Sequence, residues 1–465
     1  MKFFDRSRDM DMLEGPLLGK VFLFSVPLII TNALQVFYNA ADMIIAGKSN
    51  VEGAIGSIGT TTAMINLILN IFMGFSVGTN VVVARNLGKR DPKAVSDSVH
   101  SSLIVGLITG VICAIIGFFV CRPVLGILGD KGHILDLATL YTRIYFVGVP
   151  FIALSNYLIA IFRAKGDTTT PLVILACTGL MNVGMNLFFV LVCGMSVDGV
   201  AWATVIANVV SAVWLGAKLT RDRGMCRLDL KKLRLERAAV REIIRDGLPA
   251  GVQGALFSLS NMLIQSTIIG FNNRLCPGGS DIIDGNAAAG NLEGFAYVAT
   301  NSVYQASVTF TSQNYGAGKY KRIGLVMRCC YFATGLIAIL VPAVLLIFHK
   351  PLLGLYTLKP MAEEIAMLRM HVMLTPYITL AFMEVGSGVL RGLGRSTTST
   401  LVSLIGSCVF RLIWIWTVVP AVGELWVVYL SYPISWTLTA LTHFIFSETI
   451  RRKCIRRQEE AEAAA

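Results

Sequence analysis

Residues 17–47 read LLGKVFLFSVPLIITNALQVFYNAADMIIAG, with Lys20 and Asp42 as the only charged side chains. About twenty apolar residues suffice to cross a ~30 Å hydrocarbon layer. As a helix at ~1.5 Å per residue this stretch is about 46 Å long, so it must tilt or bend. Pro27 removes one backbone hydrogen bond and supplies a place to bend.

Blocks of this kind return along the whole chain. Of the 465 residues, 55% are hydrophobic and 15% charged, and the mean hydropathy is +0.67. A soluble fold needs more charge to cover its surface. Apolar blocks place helices near 16–47, 53–82, 95–120, 134–162, 169–193 and 198–219. Six more fall near 244–272, 285–313, 325–348, 362–390, 397–421 and 426–449. The fold class is therefore all-α integral membrane, with twelve transmembrane helices. Residues 1–220 form an N-terminal lobe, 221–243 a cytoplasmic basic linker, 244–450 a C-terminal lobe and 451–465 a cytoplasmic tail. The N-terminus has no short apolar core with a cleavage site, so no removable signal peptide is expected.

The net charge of +12 does not mark a nucleic-acid face, because the basic residues sit between the apolar blocks. With the N-terminus in the cytoplasm, about 31 of the 40 Lys and Arg fall in inner segments and about 6 in outer ones. That asymmetry places both termini inside and favours an even helix count. The ten cysteines, Cys113, Cys177 and Cys193 among them, lie mostly in apolar stretches and are expected as small buried residues. No metal-ligand spacing, phosphate loop or nucleophile elbow is present, so no cofactor and no enzymatic activity are expected.

The halves repeat. Ser25-Val26-Pro27 corresponds to Gly247-Leu248-Pro249, and Arg85-Asn86-Leu87-Gly88 to Gln313-Asn314-Tyr315-Gly316. Pro150…Arg163-Ala164-Lys165-Gly166 corresponds to Pro376…Arg391-Gly392-Leu393-Gly394. The offsets stay between about 222 and 228 residues. Six helices per copy give both copies the same orientation, related by a pseudo-two-fold axis along the membrane normal.

At Pro27…Ala41-Asp42-Met43-Ile44-Ile45-Ala46-Gly47, Arg85-Asn86-Leu87-Gly88, Gln313-Asn314-Tyr315-Gly316-Ala317-Gly318 and Leu390-Arg391-Gly392-Leu393-Gly394, the chain resembles the multidrug and toxic compound extrusion (MATE) family. It looks closer to the DinF-like and MepA-like bacterial branch than to NorM, over about residues 12–450. The resemblance implies V-shaped lobes, cation-driven antiport and export of amphipathic, often cationic compounds from a bacterial inner membrane.

Intramembrane polar residues are candidates for that work, since a charge in hydrocarbon costs about 2.5–3.5 kcal/mol on insertion scales. Asp42 has no basic residue within one turn, and desolvation disfavours its charged form. It is a candidate carrier of a proton or sodium, the latter the only metal expected. Asn182 and Asn186 share a helix face, and with Thr204 could add neutral ligands. The family usually has asparagine then aspartate at the first two positions. Asn186 therefore weakens a sodium site and favours a proton. The resemblance also implies bending at Pro27 coupled to the state of Asp42. Cleft candidates are Tyr38, Asn39, Ser258, Asn261, Gln265, Glu293 and Glu384. The two glutamates would form a negative wall or a second protonation site, with Arg411 a candidate partner of Glu384. Arg163 and Arg391, at equivalent inner helix ends, read as solvated or in contact with lipid phosphate.

The expected function is proton- or sodium-coupled export by alternating access, by a monomer, with no nucleic-acid partner. A flippase for lipid-linked saccharides is the rival transporter and an integral membrane transferase the rival enzyme. The charge count makes one direct prediction. Green fluorescent protein fused after Ala465 should fluoresce in intact cells and alkaline phosphatase fused there should stay inactive; an active phosphatase contradicts the orientation.

Overall fold

The computed structural model describes residues 10–46, 54–127, 132–356 and 359–464. The first helix, α1, runs Leu17–Ala46, followed by α2 Ala54–Gly88, α3 Pro92–Ile127 and α4 Gly132–Ala164. Helix α5, Thr169–Leu187, continues as a π turn, Phe188–Val192, and α6 spans Val197–Thr220. The second set comprises α7 Arg237–Leu275, α8 Asp281–Gly316 and α9 Tyr320–Ile347. Helix α10 has two pieces, Pro360–Leu374 and Ile378–Gly392. Helix α11 runs from Ser396 through a π stretch, Leu404–Val409, to Val422, and α12 is Leu425–Ala464. The chain is an all-helical membrane protein. Among the described residues eight helices are separately long and apolar enough to cross a bilayer, and α10 makes nine if its pieces, bent by 49°, cross together.

Helix α12 runs fifteen residues past its expected end at 449, through the segment expected as a tail, and two further features depart from the expected helices. Helix α10 breaks at Thr375–Tyr377, where Pro376 has no N–H to continue the ladder. Helix α7 starts at Arg237, seven residues before the apolar block. Ala239 and Ile243 are buried there, so the extra turns are amphipathic and invisible to hydropathy alone. The expected burial of cysteines also fails at Cys177 and Cys193, which are exposed; a helix surface bathed in lipid does not exclude an apolar thiol.

Contacts divide the chain into two compact units. One is built from Met1–Asp11 and Val26–Val252, the other from Met12–Ser25 and Gln253–Ala465. Two of the three passages from one to the other lie inside helices, one residue before Pro27 in α1 and three residues after Pro249 in α7, and the third falls between Asp11 and Met12. Within the first unit, residues 221–236 are ordered against α3. Cys226 and Leu228 are buried in its core, the Asp229 N–H donates to His100 Nε2 at 3.1 Å, and Arg234 pairs with Asp97.

The repeat is visible in the backbone. Gly166 and Gly394 both adopt positive φ, +94° and +72°, and close the same cap. The Asp167 N–H reaches Phe162 O and the Arg395 N–H reaches Leu390 O, both at 2.9 Å. At the ends of α2 and α8 the positive-φ residues are Arg90 (56°) and Gly318 (69°). Both pairs are 228 residues apart. An αL cap of this kind satisfies carbonyls that the helix end leaves open.

In the second unit α8 is polar yet buried from Ser302 to Asn314. Its hydroxyls bond back to their own helix: Ser302 to Val298 O at 2.9 Å, Thr309 to Gln305 O at 3.0 Å and Ser312 to Val308 O at 2.7 Å. This lets a polar helix occupy an apolar interior.

In the first unit α2 and the start of α7 meet backbone to backbone. A Cβ on Gly74 would fall 2.1 Å from Gly251 N, and one on Gly78 2.6 Å from Gly247 N. Both helices thus present glycines four apart, the small-residue pattern of close membrane crossings. Gly247→Val should destabilise the protein by about 1–3 kcal/mol, as overpacking does, seen as a lower Tm in detergent. An unchanged Tm contradicts the tight crossing.

Candidate functional site

In the first unit three helices converge on one carboxylate. Asp42 lies one turn before the end of α1 and is only 9% exposed. Asn186 Nδ2 of α5 donates to Asp42 Oδ1 at 2.5 Å. Thr204 Oγ1 of α6 lies 3.5 Å from Oδ2 and also donates to Val200 O at 3.0 Å. The Asn182 amide satisfies both its ends when its nitrogen donates to Asp42 Oδ1 at 3.0 Å and its oxygen accepts from the Thr204 N–H at 3.2 Å. The structure thus gathers Asp42, Asn182, Asn186 and Thr204 at one point. Among the described residues no Lys, Arg or His forms an ion pair with Asp42. Asn186 Oδ1 is buried without a partner.

The surroundings are apolar. Ile45, Ala46, Ile65, Tyr141, Val197 and Val205 close over the site as one buried cluster. Tyr141 and Tyr145 of α4 stack beside it with ring centroids 6.3 Å apart. The π turn Phe188–Val192 follows Asn186 directly; such insertions are frequent at functional sites.

The other α1 candidates lie outside this knot. Tyr38 donates to Ala176 O at 3.1 Å, and its ring lies where a Cβ of Gly179 would be, 1.9 Å away, so Gly179 admits it against α5. Asn39 is exposed. Pro27 sits in an unbroken α1, where Thr31 Oγ1 donates to its carbonyl at 2.8 Å.

The second unit holds a cavity of about 330 Å³ lined by residues that include Asn261, Gln265, Glu293, Tyr297, Arg369 and Tyr432. A hydrogen-bonded chain crosses its wall. Asn286 Nδ2 donates to Gln265 Oε1 at 3.0 Å, Arg369 Nη1 donates to Asn286 Oδ1 at 2.5 Å, and Arg369 Nη2 donates to Glu293 Oε2 at 2.8 Å. Of the cleft candidates in this unit, Asn261, Gln265 and Glu293 come together. Ser258 does not join them; its hydroxyl bonds to Gly254 O at 3.1 Å. Glu384, on the second piece of α10, accepts from Asn301 Nδ2 at 3.4 Å.

Two expectations need correction. Arg411 does not pair with Glu384. Its Nε donates to Ser435 Oγ at 2.8 Å and its guanidinium lies 4.1 Å from the Tyr432 ring centroid, an aromatic and hydroxyl setting that holds a cation without a carboxylate. Nor is Arg391 solvated: it is 5% exposed and donates to Tyr304 OH at 2.8 Å and Gln253 Oε1 at 2.9 Å. The Arg369–Glu293 pair is not among the sequence expectations. Both residues stand out as charges within helices, but their separation of 76 positions carries no spacing signal; only the fold brings them together.

A repeated helical membrane fold, with a lone acid in one unit and a polar cavity in the other, defines a multi-pass transporter. A family model described as MatE matches residues 27–188 and 249–417, beginning at the two repeat-related prolines. The chain belongs to this family. Among its relatives, a probable multidrug resistance protein YpnP of Bacillus subtilis (strain 168) is 25% identical over 406 residues, covering 86% of this chain and 88% of that one. A probable multidrug resistance protein NorM of Thermotoga maritima is 23% identical over 400 residues, with 83% and 82% covered. Among solved structures, an outward-facing MATE transporter superposes with a TM-score of 0.86 at 20% identity, covering 96% of this chain and 99% of that one. A transporter of the MOP superfamily from Pyrococcus furiosus, described by the reverse polarity of its binding pocket, gives 0.88 at 20% identity, covering 95% and 98%. The chain is thus a membrane transporter, and not an enzyme.

The ion pair in the cavity wall yields a prediction. Arg369 and Glu293 are half-buried, and removing one partner of such a pair leaves the other without its counter-charge, which costs more than removing both. Arg369→Gln should therefore lower Tm further than Arg369→Gln/Glu293→Gln. Equal losses would show that the two side chains act independently.

Proposed function

We propose that this transporter exports small amphipathic, cationic compounds across the bacterial inner membrane as a monomer, in exchange for a proton carried by Asp42. Both termini lie in the cytoplasm in this reading, and no cofactor is used beyond the ion gradient. The observation that carries it is the neutral shell around Asp42. A carboxylate held by amides and a hydroxyl, without a cation, is free to accept an external one. A proton fits this shell better than sodium. Both asparagines turn N–H groups toward the carboxylate, whereas a hard cation needs oxygens around it.

Cationic cargo is favoured by Asp42 and Glu384, neither of which forms an ion pair among the described residues. Glu293 contributes less, since Arg369 neutralises it. The relatives named for multidrug resistance or multidrug export favour a broad cargo of this kind. In the proposed cycle, protonation of Asp42 from outside releases its hold on α5 and α6. Helix α1 then bends at Pro27 and the cargo leaves.

The decisive test is ethidium transport in proteoliposomes under separate pH and sodium gradients. A pH gradient alone should drive transport, and Asp42→Asn should reduce it at least about tenfold, a loss of ~1.4 kcal/mol of coupling. Transport driven by sodium alone, or an undiminished Asp42→Asn variant, overturns the reading.

A further inference from the structure

The first turns of α7 carry a surface outside both the Asp42 site and the cavity of the second unit. Arg237, Arg241 and Arg245 are spaced i, i+4, i+8, which puts their guanidinium groups on one helix face. With Leu235, Val240 and Ile244 they line a groove of about 670 Å³. All three arginines are exposed. Among the described residues no ion pair holds Arg237 or Arg241, and Arg245 Nε is 3.7 Å from Asp246 Oδ1. The acids of these turns point elsewhere: Asp246 and Glu242 are taken by Arg85 of α2, at 3.0 and 3.6 Å. The result is a helix whose carboxylates Glu242 and Asp246 pair with Arg85 and whose guanidinium groups are left outward.

Directly beyond the arginines runs an aliphatic track. Ile244, Leu248 and Val252 repeat the same four-residue spacing and are 40%, 46% and 42% exposed. No further basic residue follows until Arg274, so Arg245 marks where the helix enters its apolar span. A row of guanidinium groups at that edge, continued by exposed aliphatic side chains along the span, matches a phosphate head with an acyl tail.

We propose that this groove binds an anionic phospholipid, with its phosphodiester on Arg237 and Arg241 and an acyl chain along Ile244, Leu248 and Val252. Guanidinium groups take phosphate oxygens in bidentate fashion, and basic clusters just cytoplasmic of a span attract anionic lipids. A zwitterionic lipid would bring its own cation against the same arginines. Free phosphate would gain nothing from the aliphatic track. The bound lipid would brace the part of α7 that packs its glycines on α2 and carries the Arg85 pair, and so hold the first unit together.

The test uses the full chain purified in detergent, with native mass spectrometry to count bound lipid and thermal unfolding to measure stabilisation. Phosphatidylglycerol should bind and raise Tm, while phosphatidylcholine and inorganic phosphate should not. Arg237→Gln/Arg241→Gln should weaken phosphatidylglycerol binding about thirtyfold, whereas Arg456→Gln/Arg457→Gln, on the C-terminal extension of α12, should leave it unchanged. Ile244→Ser/Leu248→Ser should weaken it as well, which separates a lipid from a headgroup alone. The proposal is overturned if phosphatidylcholine stabilises equally, if inorganic phosphate reproduces the effect, if the α7 arginine variant or the Ile244→Ser/Leu248→Ser variant binds as the parent does, or if Arg456→Gln/Arg457→Gln loses binding to the same extent as the α7 arginine variant.

Discussion

A carboxylate inside a bilayer must be paired, wetted or protonated. Asp42 is buried, and among the described residues it is paired with no cation; the dipoles of Asn182, Asn186 and Thr204 hold it. Dipoles stabilise a charge less completely than an opposite charge does, so the site stays responsive to a passing cation. The three contacts also join α1 to α5 and α6. Whatever changes the charge of Asp42 changes how α1 is held. The rest of the first unit is arranged around that dependence: an apolar cluster covers the acid, and Gly179 lets Tyr38 lie close against α5.

The second unit solves the same problem differently. Glu293 has a cation, Arg369, and Arg411 rests on aromatic rings and a serine hydroxyl. These charges are held by structure and are less available for exchange. Two of the chain's passages between the units lie within helices, close to Pro27 and Pro249. A proline inside a long membrane helix weakens one rung of its ladder. The sites best able to bend thus coincide with the places where the chain passes from one unit to the other.

Much of this was legible in the residues themselves. Twelve apolar blocks, the repeat offset and the lone Asp42 follow from hydropathy, landmark spacing and the cost of intramembrane charge. Asn182 and Asn186 could be placed on one face because helical period is fixed. Partners across distant helices were not legible. Arg411 is a candidate partner for Glu384 in the sequence and Arg369 has no assigned partner there, since separation in sequence says nothing of proximity. Arg391 looked solvated because it follows an apolar block, yet Tyr304 and Gln253 bury it. The extra turns of α7 were hidden by their charge, although Ala239 and Ile243 carry the amphipathic period. The glycines Gly74, Gly78, Gly247 and Gly251 did carry a signal, spacing of four in both helices, that points to a close crossing.

The central claim is that Asp42 gains and loses a proton as cargo leaves and binds. Infrared difference spectroscopy of the purified transporter in lipid, with and without cargo, reads this directly. The account predicts that a protonated-carboxyl stretching band is lost on cargo binding, and that this band is missing from the Asp42→Asn protein. A cargo-induced spectrum with no carboxyl band, or one identical in Asp42→Asn, would contradict it.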